Sequence, residues 1–282
     1  MTPGNSFIRR EATILAGLTL AVLAVSAWLR LHGAGLGCEE WPICYGRKLF
    51  FGDYRPPAIA RGIHRLAATL ALLITMHLAW LAWKSRPRPA WARPVFVLLG
   101  LMFLLAAVGA WSHDPRNATV NLVNLLGGLL LVPISWHIVT VASVGHDAVP
   151  RRHRSFPVVM GATVLLAAVM LGAWIGASHS AVDSSVAGQA LHWFHRGLAL
   201  LAFAMLGHAA WRRSPARLAH ALLALLAIEM ALGLLLVIGD LPLLIAVAHN
   251  LTAAMLLAVT WQLSRESGTQ GLPPLADDKR LD

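Results

Sequence analysis

The chain has 282 residues, of which 57% are hydrophobic and only 13% charged, and its mean hydropathy is +0.65. That balance excludes an ordinary soluble domain and indicates an integral membrane protein. The formal net charge of +10 does not signal a nucleic-acid partner, because the basic residues form short clusters between apolar runs and no soluble stretch is long enough for such a site.

Eight apolar runs, near 12–30, 60–83, 94–112, 119–144, 156–177, 189–211, 217–238 and 242–263, reach the ~20 helical residues that a bilayer requires. They are continuous rather than alternating, so they are expected as helices. The first follows Arg9-Arg10 and contains Val25-Ser26-Ala27, which also has the form of a signal-peptide cleavage site. Ala27-Trp28 has a counterpart in Ala173-Trp174 of the fifth run, which favours a retained span.

The first loop, 31–59, holds Cys38 and Cys44 around Glu39-Glu40-Trp41-Pro42-Ile43. The loops after spans two, four and six carry Lys84, Arg86, Arg88 and Arg93, then Arg151, Arg152 and Arg154, then Arg212, Arg213 and Arg217; those after spans three, five and seven carry only Arg116. This bias sets a multi-pass protein of the inner (cytoplasmic) membrane with both termini in the cytoplasm. Arg47, Lys48 and Arg55 make the first outer loop the exception, and its length and contents suggest a folded, functional segment. Two cysteines close together on the oxidising side form a disulfide most simply. A structural staple and a redox-active pair both stay open, since an exposed small-ring disulfide is the more easily reduced kind. From Ser264 the chain is polar and bears prolines, and 264–282 reads as a disordered cytoplasmic tail.

Spans two and six share a pattern. His64-Arg65, eleven residues and His77 recur as His195-Arg196, eleven residues and His208, and each copy ends in a basic turn. Trp28 and Trp174 are 146 residues apart, His64 and His195 131, and Trp136 and Trp261 125, so the spacing changes only across loops. The expected fold is therefore an all-α membrane protein of two tandem four-helix bundles, 1–145 and 146–263. They are inserted the same way up, about a pseudo-two-fold along the membrane normal.

A histidine within a span is costly without a partner or ligand. One alone is most simply hydrogen-bonded to backbone; a matched set within a repeat is the pattern of heme ligation. His195 and His249 both lie about 10 Å below the outer surface at 1.5 Å per residue and can face one another as axial ligands of a low-spin heme. Arg196 stands ready for a propionate. His64, beside Arg65, has Asn124 where the second half has His249, and asparagine is a poor iron ligand. A heme there would have one protein ligand or none, with His113 of the third loop as the remaining side chain able to reach over. His137 lies nearly 20 Å deeper. His77 and His208 lie 13 residues further along their helices than His64 and His195, and so face about 140° away from them. They read as packing or interfacial histidines, with His208 opposite Gln262 by the repeat. His32, His146, His153, His179, His192 and His220 fall at span ends or in loops and receive no role.

The segment Gly35-Leu36-Gly37-Cys38 to Trp41-Pro42-Ile43-Cys44-Tyr45-Gly46, the His-Arg pairs of spans two and six, and the histidine near the start of span eight resemble the heme A synthase family across all eight spans. The resemblance implies an eight-helix protein that oxidises the methyl group of heme O to the formyl of heme A for cytochrome c oxidase biogenesis. It implies a heme b cofactor on His195 and His249, heme O as substrate at His64, and a role for Cys38 and Cys44 in heme transfer or electron flow. Implied partners are heme O synthase, oxidase assembly factors and membrane lipid, with a homo-oligomer open.

Two positions depart from the family pattern. Arg61 stands where the family has a glutamate proposed to stabilise a cationic intermediate, and Asn124 stands where it has its fourth histidine. Arg61 would repel developing positive charge. The intramembrane acid Glu229, on span seven, reads as a packing or heme-environment residue. The alternative function is a non-catalytic membrane heme b protein of the same fold, in electron transfer, heme handling or oxidase assembly. A transporter is the weakest reading, because Pro133 alone interrupts a span.

Overall fold

The computed structural model describes residues 5–31, 56–111, 117–143, 156–178, 185–213, 216–239 and 241–266. Among them are eight long helices and no strand: α1 Asn5–Leu31, α2 Pro56–Lys84, α3 Ala92–Trp111, α4 Ala118–Ser143, α5 Phe156–Ala177, α6 Val186–Trp211, α7 Arg217–Ile238 and α8 Leu243–Glu266. The loop with Cys38 and Cys44, His113, and most of the 264–282 tail lie outside the described residues. Ser264, Arg265 and Glu266 are helical, so α8 runs past the expected start of the tail.

Seven of the eight helices are long and apolar enough to cross a membrane, and the exception is α6. It has 26 residues, about 39 Å at 1.5 Å per residue, so its length suffices. Its hydropathy is lowered by Gln189, His192, His195, Arg196 and His208. Polar residues of this kind persist in a membrane helix where they serve a site.

The helices pack in two rings. In the first, α1 touches α2 and α4, and α3 touches α2 and α4; in the second, α5 touches α6 and α8, and α7 touches α6 and α8. The rings meet through α4 against α8, α1 against α8 and α4 against α5. These joining contacts have the exchange pattern of a two-fold, with α1 answering to α5 and α4 to α8. Side chains repeat the exchange. Trp136 Nε1 of α4 donates to Gln262 Oε1 of α8 at 2.9 Å, while the next residue of α4, His137, meets Trp261 of α8 edge-on with ring centroids 6.0 Å apart. Gln262, expected opposite His208, thus accepts from Trp136.

Each ring has its own core, one around Leu15, Leu78, Leu98 and Ile138, the other around Val158, Leu206, Leu222 and Leu256. A third core joins them through Leu23, Leu125, Leu129, Ala173 and Ala254. In lipid, close packing rather than water exclusion holds helices together, and small residues permit the approach. Gly161 shows this: a Cβ there would lie 2.7 Å from Leu206 Cδ2. The first helix is an integral wall of its ring, with Ile8, Leu15, Leu23 and Leu29 buried.

Candidate functional site

The upper end of the molecule is defined here as the end where α1 stops and α2 starts. Near this end of the first ring lies a cavity of about 320 Å³, within the roughly 300–1,000 Å³ typical of small-molecule sites. All four helices line it at helical spacing: Thr19, Val22, Leu23 and Ser26 of α1; Arg61, His64, Arg65, Ala68 and Leu72 of α2; Met102, Leu105, Ala106 and Gly109 of α3; and Asn124, Gly128 and Leu131 of α4. Its volume arises from the short side chains among them. The two arginines and the histidine share one face of α2 because positions i, i+3 and i+4 align. Below them the lining is mostly apolar, with Thr19 and Thr69 among it. The cavity therefore offers cationic groups at one end and a mostly apolar wall beyond them. His64 and Asn124, placed opposite each other by the repeat, do line one space.

In the second ring the corresponding histidine is held firmly. His195 Nδ1 lies 3.0 Å from the Ala168 carbonyl of α5. One turn along α5 is Gly172, where a Cβ would lie 2.8 Å from His195 Cε1. A glycine is required there for the imidazole to lie against the helix. The Val22 backbone faces His64 in the same way, and Val22 and Ala168 are 146 residues apart, the offset of the tryptophans. His64 Nδ1 nevertheless has no hydrogen bond of good geometry. Gly172 corresponds to Ser26 in the first ring.

His249 of α8 faces Glu229 of α7 without an aligned hydrogen bond. Its Nδ1 lies 3.2 Å from Glu229 Oε1, and one turn along is Gly233, where a Cβ would stand 3.7 Å from His249 Cε1. His195 and His249 are close enough to interact electrostatically. Each Nδ1 thus lies beside an acceptor on a neighbouring helix, hydrogen-bonded in His195 and unaligned in His249, which leaves Nε2 of each for another partner. Among the described residues no three His, Cys, Asp or Glu gather into a protein-only metal centre. A donor set of two imidazoles fits a heme, whose porphyrin supplies the remaining ligands.

Arg196 lies beside Trp193. Its guanidinium lies 5.2 Å from the centre of the Trp193 ring on the same helix. Of the lower histidines, His77 pairs locally: its Nδ1 lies 3.1 Å from Glu11 Oε2, and its ring meets Phe7 and Trp80. Arg30, between the rings, donates from Nη1 to the Gly176 carbonyl at 3.5 Å. Glu11 escaped the sequence reading because the first span was started at residue 12, and Arg30 because its partner is a backbone carbonyl.

Fold and site define a multi-pass helical membrane protein of two like rings, with an imidazole pair in one and a single-histidine cavity in the other. The chain belongs to the cytochrome oxidase assembly protein family COX15-CtaA, whose pattern matches residues 63–261. It is 26% identical over 301 aligned positions to the heme A synthase of Shewanella oneidensis, covering 85% of this chain and 90% of that protein. It is 34% identical over 107 residues to the heme A synthase of Bacillus pumilus, covering 36% of this chain and 34% of that protein. Similarity to the heme A synthase of Symbiobacterium thermophilum is 32% over 105 residues, 36% of this chain and 33% of that protein. The chain thus spans about a third of the length of two of these relatives and nearly all of the third.

Proposed function

We propose that the protein is a heme A synthase-type oxidoreductase of the inner membrane, converting the methyl group of heme O to the formyl of heme A for oxidase assembly. The observation that carries this reading is the difference between the two rings at equivalent positions. One has two imidazoles, each facing an acceptor on a neighbouring helix, suited to a permanent cofactor; the other has one imidazole in a cavity, suited to a molecule that enters and leaves. His195 and His249 would hold a heme b through Nε2. A heme so held supplies one-electron transfer. His64 would hold the iron of the substrate heme O. Arg61 and Arg65 would receive its propionates by charge-assisted hydrogen bonds. The apolar wall from Ala68 to Leu131 would take the macrocycle. In this role Arg61 is a binding group, not a counterpart of the family's glutamate.

The positive loop bias supports cytoplasmic termini, and with them an outward-facing Cys38–Cys44 pair. The presence of Arg61 and Asn124 in the cavity favours a second reading, a heme b protein that handles heme without oxidising it. Coexpression with heme O synthase in a host lacking heme A distinguishes the two. Heme A among the extracted hemes, lost in His64→Ala, is the outcome for the enzyme. Heme b copurifying with no heme A is the outcome for the second reading and ends the first.

A further inference from the structure

The two imidazoles of the second ring face acceptors of different chemistry on their neighbouring helices. His195 turns Nδ1 to a neutral backbone carbonyl at 3.0 Å. His249 turns it to a carboxylate oxygen at 3.2 Å. A glycine lies one turn further along each supporting helix: Gly172, where a Cβ would press on the His195 ring at 2.8 Å, and Gly233, where one would stand at an ordinary 3.7 Å from His249 Cε1. The carboxylate is an expensive choice. Glu229 lies inside a span with its side chain 16% exposed, and Oε2 is buried with no hydrogen bond among the described residues. An acid is retained at such a position where a specific partner uses it.

We infer that Glu229 is a positioning residue for His249: it accepts the Nδ1–H of that imidazole, directs Nε2 to the heme, and lowers the reduction potential of the second-ring heme. This rests on the heme b reading above. A carboxylate on the far nitrogen of a ligating histidine fixes tautomer and ring orientation and raises ligand basicity. A stronger donor with a nearby negative charge favours the ferric state, which carries one more positive charge than the ferrous state. Axial ligand environment is among the levers that set heme potentials. The His249 ring is turned off the hydrogen-bond axis, so Nδ1 has no aligned partner. A Cβ at Gly233 would stand at an ordinary 3.7 Å from Cε1, so this position leaves the ring room to turn. Glu229 and Ala168 would thereby make the two imidazoles unequal as donors to a heme, one strengthened by charge and one by a dipole.

The test uses the full-length, heme-loaded protein in detergent, with a spectroelectrochemical titration of the heme midpoint and low-temperature EPR. Glu229→Gln keeps size and removes charge. It is expected to retain the low-spin heme, move the midpoint to more positive potential and change the EPR g-spread. Glu229→Asp keeps the charge but withdraws it by one methylene, and is expected to fall between Gln and wild type. Should Glu229→Gln not accumulate, Glu229→Asp alone must still shift the midpoint upward. Wild-type midpoint and g-values in the variants overturn the inference while leaving the ligand pair intact. A low-spin heme that survives in His249→Ala overturns the ligand reading, and the inference with it.

Discussion

Gly172 is the position where the account of the imidazole pair is most exposed to test. In Gly172→Ala the new Cβ would lie 2.8 Å from His195 Cε1 and 3.2 Å from Nδ1, against ordinary contacts of about 3.4–4 Å. The ring cannot keep both its place and its 3.0 Å contact with the Ala168 carbonyl. In the heme-free protein it can swing away. With heme bound it must return to ligating geometry, so the strain appears as lost affinity. Overpacking of this size costs about 1–3 kcal/mol, or roughly 5- to 150-fold in dissociation constant. Gly→Ala within a helix favours folding by up to about 1 kcal/mol, so the variant should fold at least as well as wild type. Two controls bracket it. Gly197→Ala, on the same helix as His195, meets nothing within 4 Å, and Gly233→Ala makes ordinary contact with His249; both should bind within about threefold of wild type. The assay is heme titration into apo-protein in micelles, followed by Soret absorbance. Wild-type affinity in Gly172→Ala, or equal loss in Gly197→Ala, refutes the reasoning.

Asn124→His should supply the first ring with the imidazole its repeat partner has at His249, and give a second bis-imidazole low-spin component in EPR of heme-loaded protein; a spectrum identical to wild type would mean that position 124 does not face His64 across the cavity. His77→Ala should remove the Glu11 contact, whose partners are 43% and 20% exposed, at a cost of about 0–1 kcal/mol; differential scanning fluorimetry should register a small drop in thermal midpoint with the heme spectrum unchanged, and loss of the spectrum would reassign His77 as a ligand. Trp136→Phe removes the 2.9 Å bond to Gln262 between the rings. It should lower stability by about 0.5–1.5 kcal/mol without altering heme content, as read by the same melt and a pyridine hemochrome assay.

The helices were legible in the sequence because a continuous apolar run reports its own structure without tertiary help. Runs five and seven match α5 and α7 end to end. The start of α1 was not legible: Arg9, Arg10 and Glu11 read as a flank, yet Ile8 is buried and Glu11 pairs with His77. The repeat carried the site further than any single motif, since the spacing of the tryptophans and histidines alone sets Asn124 opposite His64. What the repeat could not convey is anchoring. The Ala168 carbonyl has no signature in sequence, because any residue offers one. Glu229 was visible as an unusual acid, but its approach to His249 depends on the rotation of α7 against α8. The contact of Arg196 with Trp193, three residues away on its own helix, depends on side-chain rotamers that the sequence does not specify.

The central claim is that the two rings differ in heme chemistry, the second holding a bis-imidazole heme and the first a single-histidine cavity. The most direct measurement is the low-temperature EPR and reduced-minus-oxidised absorption spectrum of purified protein carrying His64→Ala, His195→Ala or His249→Ala, each one alone. The account predicts that the low-spin signal is lost in His195→Ala and in His249→Ala and kept in His64→Ala. A low-spin heme that survives both second-ring substitutions, or that disappears with His64, would contradict it.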